Sequence, residues 1–129
     1  MREAWQNAMP VVRSGHMAEI DAIAQTEYSM PSTVLMENAG IKLYSRLVKI
    51  HETEMTGGPL VFLAGKGNNG GDALVMARQA VVNGYDAVSV VYLTDELSGD
   101  PAVHLSACRA LGVPTYRWPG PEAETAVAT

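Results

Sequence analysis

A glycine-dense loop, AGKGNNGGD at residues 64–72, separates two apolar segments with different spacing. Before the loop, LVFLA at 60–64 is a continuous apolar run, which is typical of a strand buried on both faces of a parallel sheet. After it, apolar residues recur at helical spacing as far as Gly84, a residue type that commonly follows a helix end. We therefore predict a strand at 60–64 and a helix from about residue 72 to 83, with Asp72 capping that helix.

The remainder of the chain continues the alternation of strands and helices. The segments AVSVVYL at 87–93 and VPTYRW at 113–118 have strand composition. The helix predicted between them is capped by Asp100 and closed by Gly112. Strand–helix–strand order at this spacing favours an α/β fold with a parallel sheet. Since only about three strands are present and the tail PGPEAETAVAT adds none, we expect a domain truncated at its C-terminus.

The N-terminal part is helical by its spacing. Residues 1–13 show no periodicity, and we predict an N-terminal arm there. A helix is expected from Ser14, with Ser14 as N-cap, and a second one from about residue 32 to 56. Gly40 inside the second helix predicts a close contact with another helix, since glycine otherwise weakens a helix interior. The expected organisation is this arm followed by one domain over 14–129.

Composition limits the classes of protein that fit. The chain has 129 residues and a net charge of −5 without a Lys/Arg cluster, which argues against a nucleic-acid groove. The single cysteine, Cys108, excludes an intrachain disulfide, and its helical setting favours a buried inert thiol. No segment approaches the roughly 20 apolar residues of a membrane span. We predict a cytoplasmic protein with neither a nucleic-acid nor a membrane partner.

The glycine loop has three interpretations, of which the first is a dinucleotide-binding turn. Gly65-x-Gly67-x-x-Gly70 matches that fingerprint, and Asp95 follows the second strand where a ribose-binding acid is expected. Against it, a carboxylate at Asp72 would repel a pyrophosphate at the helix N-terminus. A P-loop is excluded, because Lys66 follows the first glycine of the motif and not the last.

The other two interpretations are a plain turn and a ligand-binding loop with oxygen donors. A plain turn leaves the density of glycine unexplained, because strand-to-helix connections are usually short and need no such run. Asn68 and Asn69 bring amide donors and carbonyl acceptors that suit hydroxyl groups and hard cations. We favour the ligand-binding loop, in which Asp72 is the only carboxylate available as an acid or base.

Two motifs, PSTVLMENAG at 31–40 and LVFLAGKGNNGGDALVMAR at 60–78, resemble the YjeF N-terminal domain family of NAD(P)H-hydrate epimerases. The resemblance extends from about Arg13 to Trp118. It implies a Rossmann-like three-layer α/β/α sandwich with a mainly parallel sheet, often homodimeric. Family members interconvert the R and S hydrates of NADH and NADPH in nucleotide repair. Their product is the substrate of an ATP- or ADP-dependent dehydratase, which is either fused to the epimerase domain or a separate protein.

The resemblance also implies roles for particular residues. The substrate site would be lined by Asn68, Asn69, Gly70, Gly71 and Asp72. Asn69 would help to hold a potassium ion. Asn38 would orient the loop without touching the substrate itself. Family members continue beyond Thr129 into segments that complete the potassium site and supply the main acid/base group. This chain alone is therefore expected to bind weakly and to be inactive.

Several alternatives stay open at this point. The same fold serves as a non-catalytic dimerising or ligand-binding scaffold in mRNA-decapping enhancer proteins, although the intact GNNGGD favours the enzyme. A nicotinamide-dependent dehydrogenase is the third possibility. Glu37 has two equally supported interpretations, a favourable acid near a helix N-terminus and a residue that shapes the site. His16, His51 and His104 have no ligand spacing, and we predict no role as base or metal ligand for them.

Overall fold

The structure is a computed structural model that describes residues 10–93 and 97–129, and the chain divides into two compact units, Met1–Ser32 and Thr33–Thr129. In the first unit, helix α1 spans Ser14–Thr26 where a helix was predicted. Its N-cap is Arg13 without a side-chain hydrogen bond, so the cap predicted at Ser14 is wrong. Most of the predicted arm and the acid Asp95 lie outside the described residues.

The second unit contains three strands and four helices among the described residues. In chain order these are α2 Ser32–Thr56, β1 Leu60–Ala64, α3 Asn68–Val82, β2 Val88–Tyr92, α4 Gly99–Ala110, β3 Thr115–Arg117 and α5 Pro121–Ala128. The strands pair in parallel in the order β1-β2-β3. The predicted α/β fold with a parallel sheet is confirmed. Helix α5 was not predicted, because eight residues with proline in the first turn carry too little periodicity.

Helices lie on both faces of this sheet, as in a three-layer α/β/α arrangement, but Leu63 of β1 stays exposed on the second face. On one face, Phe62 lies beside Val90, and both pack into a core with side chains of α2, α3 and α4. On the other face, Val91 lies beside Tyr116 and is fully buried. Tyr116 lines a cavity together with residues of α5, and α5 contacts β2 and β3. The prediction of a Rossmann-like layered fold is therefore confirmed.

A close contact joins α2 to α3 at the glycine that the sequence singled out. A Cβ atom at Gly40 would stand 2.4 Å from Cβ of Val75, and 3.2 Å from the carbonyl oxygen of Asp72. Gly40 is buried between Met36 and Tyr44 on the inner side of α2. The predicted close helix contact is confirmed, and it lies against the turn of α3 that carries Asp72.

The helix ends were predicted better than the helix starts. Gly84 and Gly112 follow α3 and α4 with φ of +94° and +76°, the left-handed conformation expected of glycine at those positions. Helix α4, however, begins at Gly99 after Ser98, so the cap predicted at Asp100 is wrong. Asp100 lies inside the first turn, where its carboxylate accepts a hydrogen bond of 2.5 Å from the hydroxyl of Thr33.

Helix α3 begins at Asn68, four residues before its predicted start. Its N-cap is Gly67, which makes no side-chain hydrogen bond, so the prediction that Asp72 caps the helix is wrong. Gly70 and Gly71 have low helix propensity, which disfavours a helix through this stretch. Both glycines are buried against neighbouring atoms, and this packing outweighs a propensity difference of about 1 kcal/mol per residue. Asp72 consequently lies one turn into the helix.

Candidate active site at the glycine loop

The loop between β1 and α3 forms a cleft at the carboxyl end of the sheet. The first N–H groups of α3 have no partner within the helix, and they make this end attractive to anions. Asn68 and Asn69 stand exposed on this first turn. A cavity of about 360 Å³ adjoins them, lined by Leu63, Gly65, Lys66, Gly67, Asn68, Asn69 and Gly70. In parallel α/β sheets this is the edge at which ligands bind.

A larger cavity of about 630 Å³ lies at the opposite end of the sheet. It is lined by Met55, Thr56, Gly57, Gly58, Pro59, Leu60, Asn83, Gly84, Tyr85, Asp86 and Ala87. It opens at the amino ends of β1 and β2 and faces the C-terminal end of α3, which is the negative end of the helix dipole and disfavours anions. The helix dipole therefore favours the smaller cleft at the glycine loop as the site for an anionic ligand.

The four glycines of the loop divide into two pairs. A Cβ atom at Gly70 would stand 2.0 Å from the carbonyl oxygen of Gly65, and one at Gly71 would stand 2.3 Å from the sulfur of Met36. Packing within the chain therefore explains the second pair. Cβ atoms at Gly65 and Gly67 would meet nothing within 4 Å, and the backbone of Gly67, at φ −146°, suits any residue. The first pair keeps open a space that the chain itself does not fill.

Asp72 lies half-buried on the second turn of α3. Burial raises the pKa of its carboxyl group above the ordinary 3.8, and the nearby imidazole of His104 partly offsets that rise. A carboxyl group with a raised pKa, beside an anion-binding helix end, is a candidate for proton transfer or for bonding to substrate hydroxyl groups.

We expect Asp72→Asn to raise the free energy of unfolding at neutral pH. The folded-state pKa of Asp72 lies above the unfolded value, so the ionised side chain destabilises the fold once pH exceeds both values. Well below the unfolded value, both states are protonated and the destabilisation is absent. Urea unfolding of both proteins should show an advantage for the variant at pH 7 that shrinks toward about pH 4. A variant less stable than wild type at pH 7 would contradict this account.

The MENAG segment of α2 approaches the site through Glu37. Its carboxylate accepts a hydrogen bond from Nη2 of Arg78 on α3, and its Oε2 lies 3.7 Å from Nδ1 of His104 on α4. Of the two interpretations of Glu37, the structure favours a residue that ties helices together around the site. Asn38 is exposed on α2, and its orienting role stays a prediction.

His104 is the residue that sequence reasoning missed. Its side chain is only 5% exposed and lies near Glu37 and Asp72, whereas the sequence placed it among ordinary helix positions. Glu37 and Arg78 both fall inside the two quoted motifs and could have been paired from them. Nothing in the spacing around His104 distinguishes it, because its neighbours come from other helices.

Cys108 has the setting predicted for an inert thiol. It is fully buried, its sulfur donates a hydrogen bond of 3.1 Å to the carbonyl of Leu74, and burial raises its pKa to about 11.

Among the described residues, no group of three His, Cys, Asp or Glu side chains is placed to hold a metal ion. In the same part of the chain, no helix is both long and apolar enough to cross a bilayer.

Comparison with known proteins identifies the family of this fold and loop. The family described as "YjeF-related protein N-terminus" matches residues 32–128, which include both motifs and the cleft. The chain belongs to the YjeF N-terminal domain family. The predicted family membership is confirmed.

Curated members of this family are named for NAD(P)H-hydrate repair. The chain is 42% identical over 108 residues to the bifunctional NAD(P)H-hydrate repair enzyme Nnr of Salinibacter ruber, covering 79% of this chain and 19% of that protein. It is 33% identical over 106 residues to the NAD(P)H-hydrate epimerase of Rhodopirellula baltica, covering 81% and 42%. The chain thus spans less than half the length of these relatives.

A solved structure shows the same fold in a eukaryotic protein. The crystal structure of a yeast protein superposes with a TM-score of 0.72 at 29% sequence identity. The match covers 86% of this YjeF-family chain and 48% of the yeast chain. The architecture described above is therefore also that of the yeast protein over the matched region.

Proposed function

We propose that this chain carries the substrate-binding loop of an NAD(P)H-hydrate epimerase, an isomerase that interconverts the R and S hydrates of NADH and NADPH. The observation that carries the proposal is the open space at Gly65 and Gly67 in front of the unpaired N–H groups of α3. That space suits a phosphate-bearing ligand that comes close to the backbone. The names of the relatives supply the substrate class.

In this proposal, each group of the loop binds a different part of the substrate. The backbone N–H groups at the start of α3 bind phosphate, and the amides of Asn68 and Asn69 bond to neutral oxygen groups. Asp72 accepts hydrogen bonds from substrate hydroxyl groups. Epimerisation at the hydrated carbon needs proton transfer by a positioned group. We place the main acid/base group in the part of the relatives that this chain does not span.

A potassium ion is the metal that this loop would hold. Asn69 offers a neutral carbonyl oxygen, and exposed amide and backbone oxygens suit a hard monovalent cation better than a transition metal. When bound, the ion would offset negative charge on the substrate phosphates. A homodimer and a fused or separate ATP- or ADP-dependent dehydratase complete the proposed setting, and a cytoplasmic location stays a prediction.

Ligand-dependent stability tests the proposal directly. The melting temperature of the chain is measured with hydrated NADPH in potassium and in sodium buffer, beside NADPH and NAD as controls. We expect the hydrate in potassium to raise stability most; saturation at a hundredfold excess over Kd corresponds to about 2.7 kcal/mol. An equal response to NAD would favour a dehydrogenase. No response to the hydrate at millimolar concentration would contradict the proposal.

Replacing Gly67 with serine is expected to weaken hydrate binding by tenfold or more without lowering the stability of the fold. Serine caps helices well, so the variant should gain a few tenths of a kcal/mol in stability from its position before α3. Its side chain would occupy the space that the ligand needs. Gly58→Ser is the matched control, since Gly58 is exposed, also has open space around its Cβ position and lies far from the cleft. Equal affinity in the two variants would show that the space at Gly67 has no role in binding.

A further inference from the structure

A second cavity adjoins the glycine loop. Its volume is about 370 Å³, close to that of the cleft described above. Lys66, Gly67 and Asn68 line both spaces, so the start of α3 lies between two cavities of similar size. The rest of the lining of the second cavity comes from the start of α4 and the two residues before it, namely Leu97, Ser98, Gly99, Asp100 and Pro101.

The paired cavities match the two-part chemistry of the proposed substrate. Ligand pockets usually measure roughly 300–1000 Å³, so each cavity lies at the small end of that range. Hydrated NADH consists of two nucleotides of similar size joined through their phosphates. With these phosphates against the first N–H groups of α3, the two nucleosides extend away from the loop in different directions. A dinucleotide can therefore occupy both cavities, whereas a mononucleotide occupies only one.

Asp100 gives the second cavity a fixed carboxylate. Its side chain is half-buried in the first turn of α4, and it accepts a hydrogen bond of 2.5 Å from the hydroxyl of Thr33 on α2. A carboxylate has about four acceptor positions, so it can accept hydrogen bonds from several donors at once. In dinucleotide-binding folds, an acid that follows the second strand bonds to the hydroxyl groups of the adenosine ribose. Asp100 follows β2 and has the chemistry for this contact.

Lys66 has a different place in the two cavities. Among the described residues that line them, it is the only cation, and it is exposed on the loop that both cavities share. The phosphates that join the two halves of the substrate would lie at this shared position, and a lysine ammonium binds phosphate as a point charge. The ribose in the second cavity would therefore meet the carboxylate of Asp100 and not the ammonium of Lys66.

We propose that the second cavity binds the adenosine half of the hydrated dinucleotide and that Asp100 makes the chain prefer the hydrate of NADH over that of NADPH. The carboxylate accepts hydrogen bonds from the ribose hydroxyl groups of NADH. NADPH carries a phosphate on its 2′ oxygen, and the carboxylate repels that negative charge. This inference rests on the proposed function for the identity of the ligand, but the adenosine site can be tested without any hydrate.

The first experiment tests the adenosine site with AMP alone. Backbone amide resonances of the nitrogen-15-labelled chain are recorded while AMP or adenosine 2′,5′-bisphosphate is added at millimolar concentration. We expect AMP to shift the resonances of Ser98, Gly99 and Asp100. We also expect it to bind about tenfold more tightly than the bisphosphate, a ratio typical of one hydrogen bond to a charged group. Absence of these shifts, or a bisphosphate that binds as tightly as AMP, overturns the proposal.

The second experiment assigns the preference to Asp100. Affinities for the hydrates of NADH and NADPH are measured for the wild-type chain, for Asp100→Asn and for the control Asp86→Asn, which removes an exposed acid at the far end of the sheet. Asparagine keeps an acceptor for Thr33 but loses the charge. We expect wild type and control to prefer the hydrate of NADH about tenfold, and Asp100→Asn about threefold or less. Melting temperatures establish that the variants are folded.

The outcomes of the second experiment are distinct. An unchanged preference in Asp100→Asn, or a wild-type preference for the hydrate of NADPH, overturns the proposal. Lys66→Gln should weaken binding of both hydrates alike, and a loss confined to the hydrate of NADPH would place Lys66 at the 2′ phosphate and overturn the proposal too. Failure of the wild-type chain to bind either hydrate would contradict the proposed function, while the AMP titration would still decide whether the adenosine site exists.

Discussion

Replacing Gly70 with alanine is expected to lower the free energy of unfolding by about 3 kcal/mol, the largest loss for any single methyl group in the loop. The added Cβ would stand 2.0 Å from the carbonyl oxygen of Gly65 and within 3.0 Å of two further backbone atoms of that residue. A flexible side chain could move away, but these atoms belong to the backbone at the end of β1. The loop must therefore open or the first turn of α3 must unwind.

Urea unfolding of the Gly70→Ala and Gly65→Ala variants measures this effect with a matched control. Both changes add one methyl group to the same loop, yet a Cβ at Gly65 would meet nothing within 4 Å. We expect the control to stay within about 1 kcal/mol of wild type, as is usual for Gly→Ala at a permissive position. Similar losses in the two variants would show that Gly70 is not closely packed against Gly65.

Replacing Gly40 with alanine is expected to cost about 2 kcal/mol by forcing α2 and α3 apart. The new Cβ would stand 2.4 Å from Cβ of Val75, and neither atom can rotate away because both are attached directly to helix backbones. The same Cβ would press on the carbonyl oxygen of Asp72, so hydrate binding should weaken together with stability. The effect on binding would distinguish this site from a purely structural contact.

A double-mutant cycle isolates the contact between Gly40 and Val75. Val75→Gly alone loses buried apolar surface, but in the double variant the glycine has moved from one helix to the other and the clash is gone. We expect the double variant to be at least about 1 kcal/mol more stable than the sum of the single losses implies. Additive losses would mean that the helices separate freely at this point.

Features that depend on neighbouring residues along the chain were predictable. The apolar run of β1 was located residue for residue, because five consecutive hydrophobic residues are typical of a strand in a parallel sheet. The burial predicted on both faces is wrong for β1, because Leu63 is 55% exposed on the face opposite Phe62. Gly84 and Gly112 were placed correctly after their helices, since a left-handed residue is required there and glycine adopts it without strain. The parallel sheet follows from the strand–helix alternation, which leaves few other ways to bury both kinds of element.

The start of α3 was not predictable in this way. Helix propensity disfavours a helix through Gly70 and Gly71, but their packing against Gly65 and Met36 outweighs that preference. The error had a chemical consequence, because it assigned Asp72 the role of a cap. Asp72 lies half-buried on the second turn of α3, and this burial raises the pKa of its carboxyl group.

The sequence by itself determined where the binding loop lies, which residue types it offers and which family the chain resembles, since these are properties of local order. Only the tertiary structure decided which glycines keep the loop closed and which keep space for a ligand. It alone brought His104 on α4 close to Glu37 on α2. The physical reason is that steric clashes, desolvation and ion pairing depend on atoms from helices far apart in the chain, and no periodicity records which of them will meet.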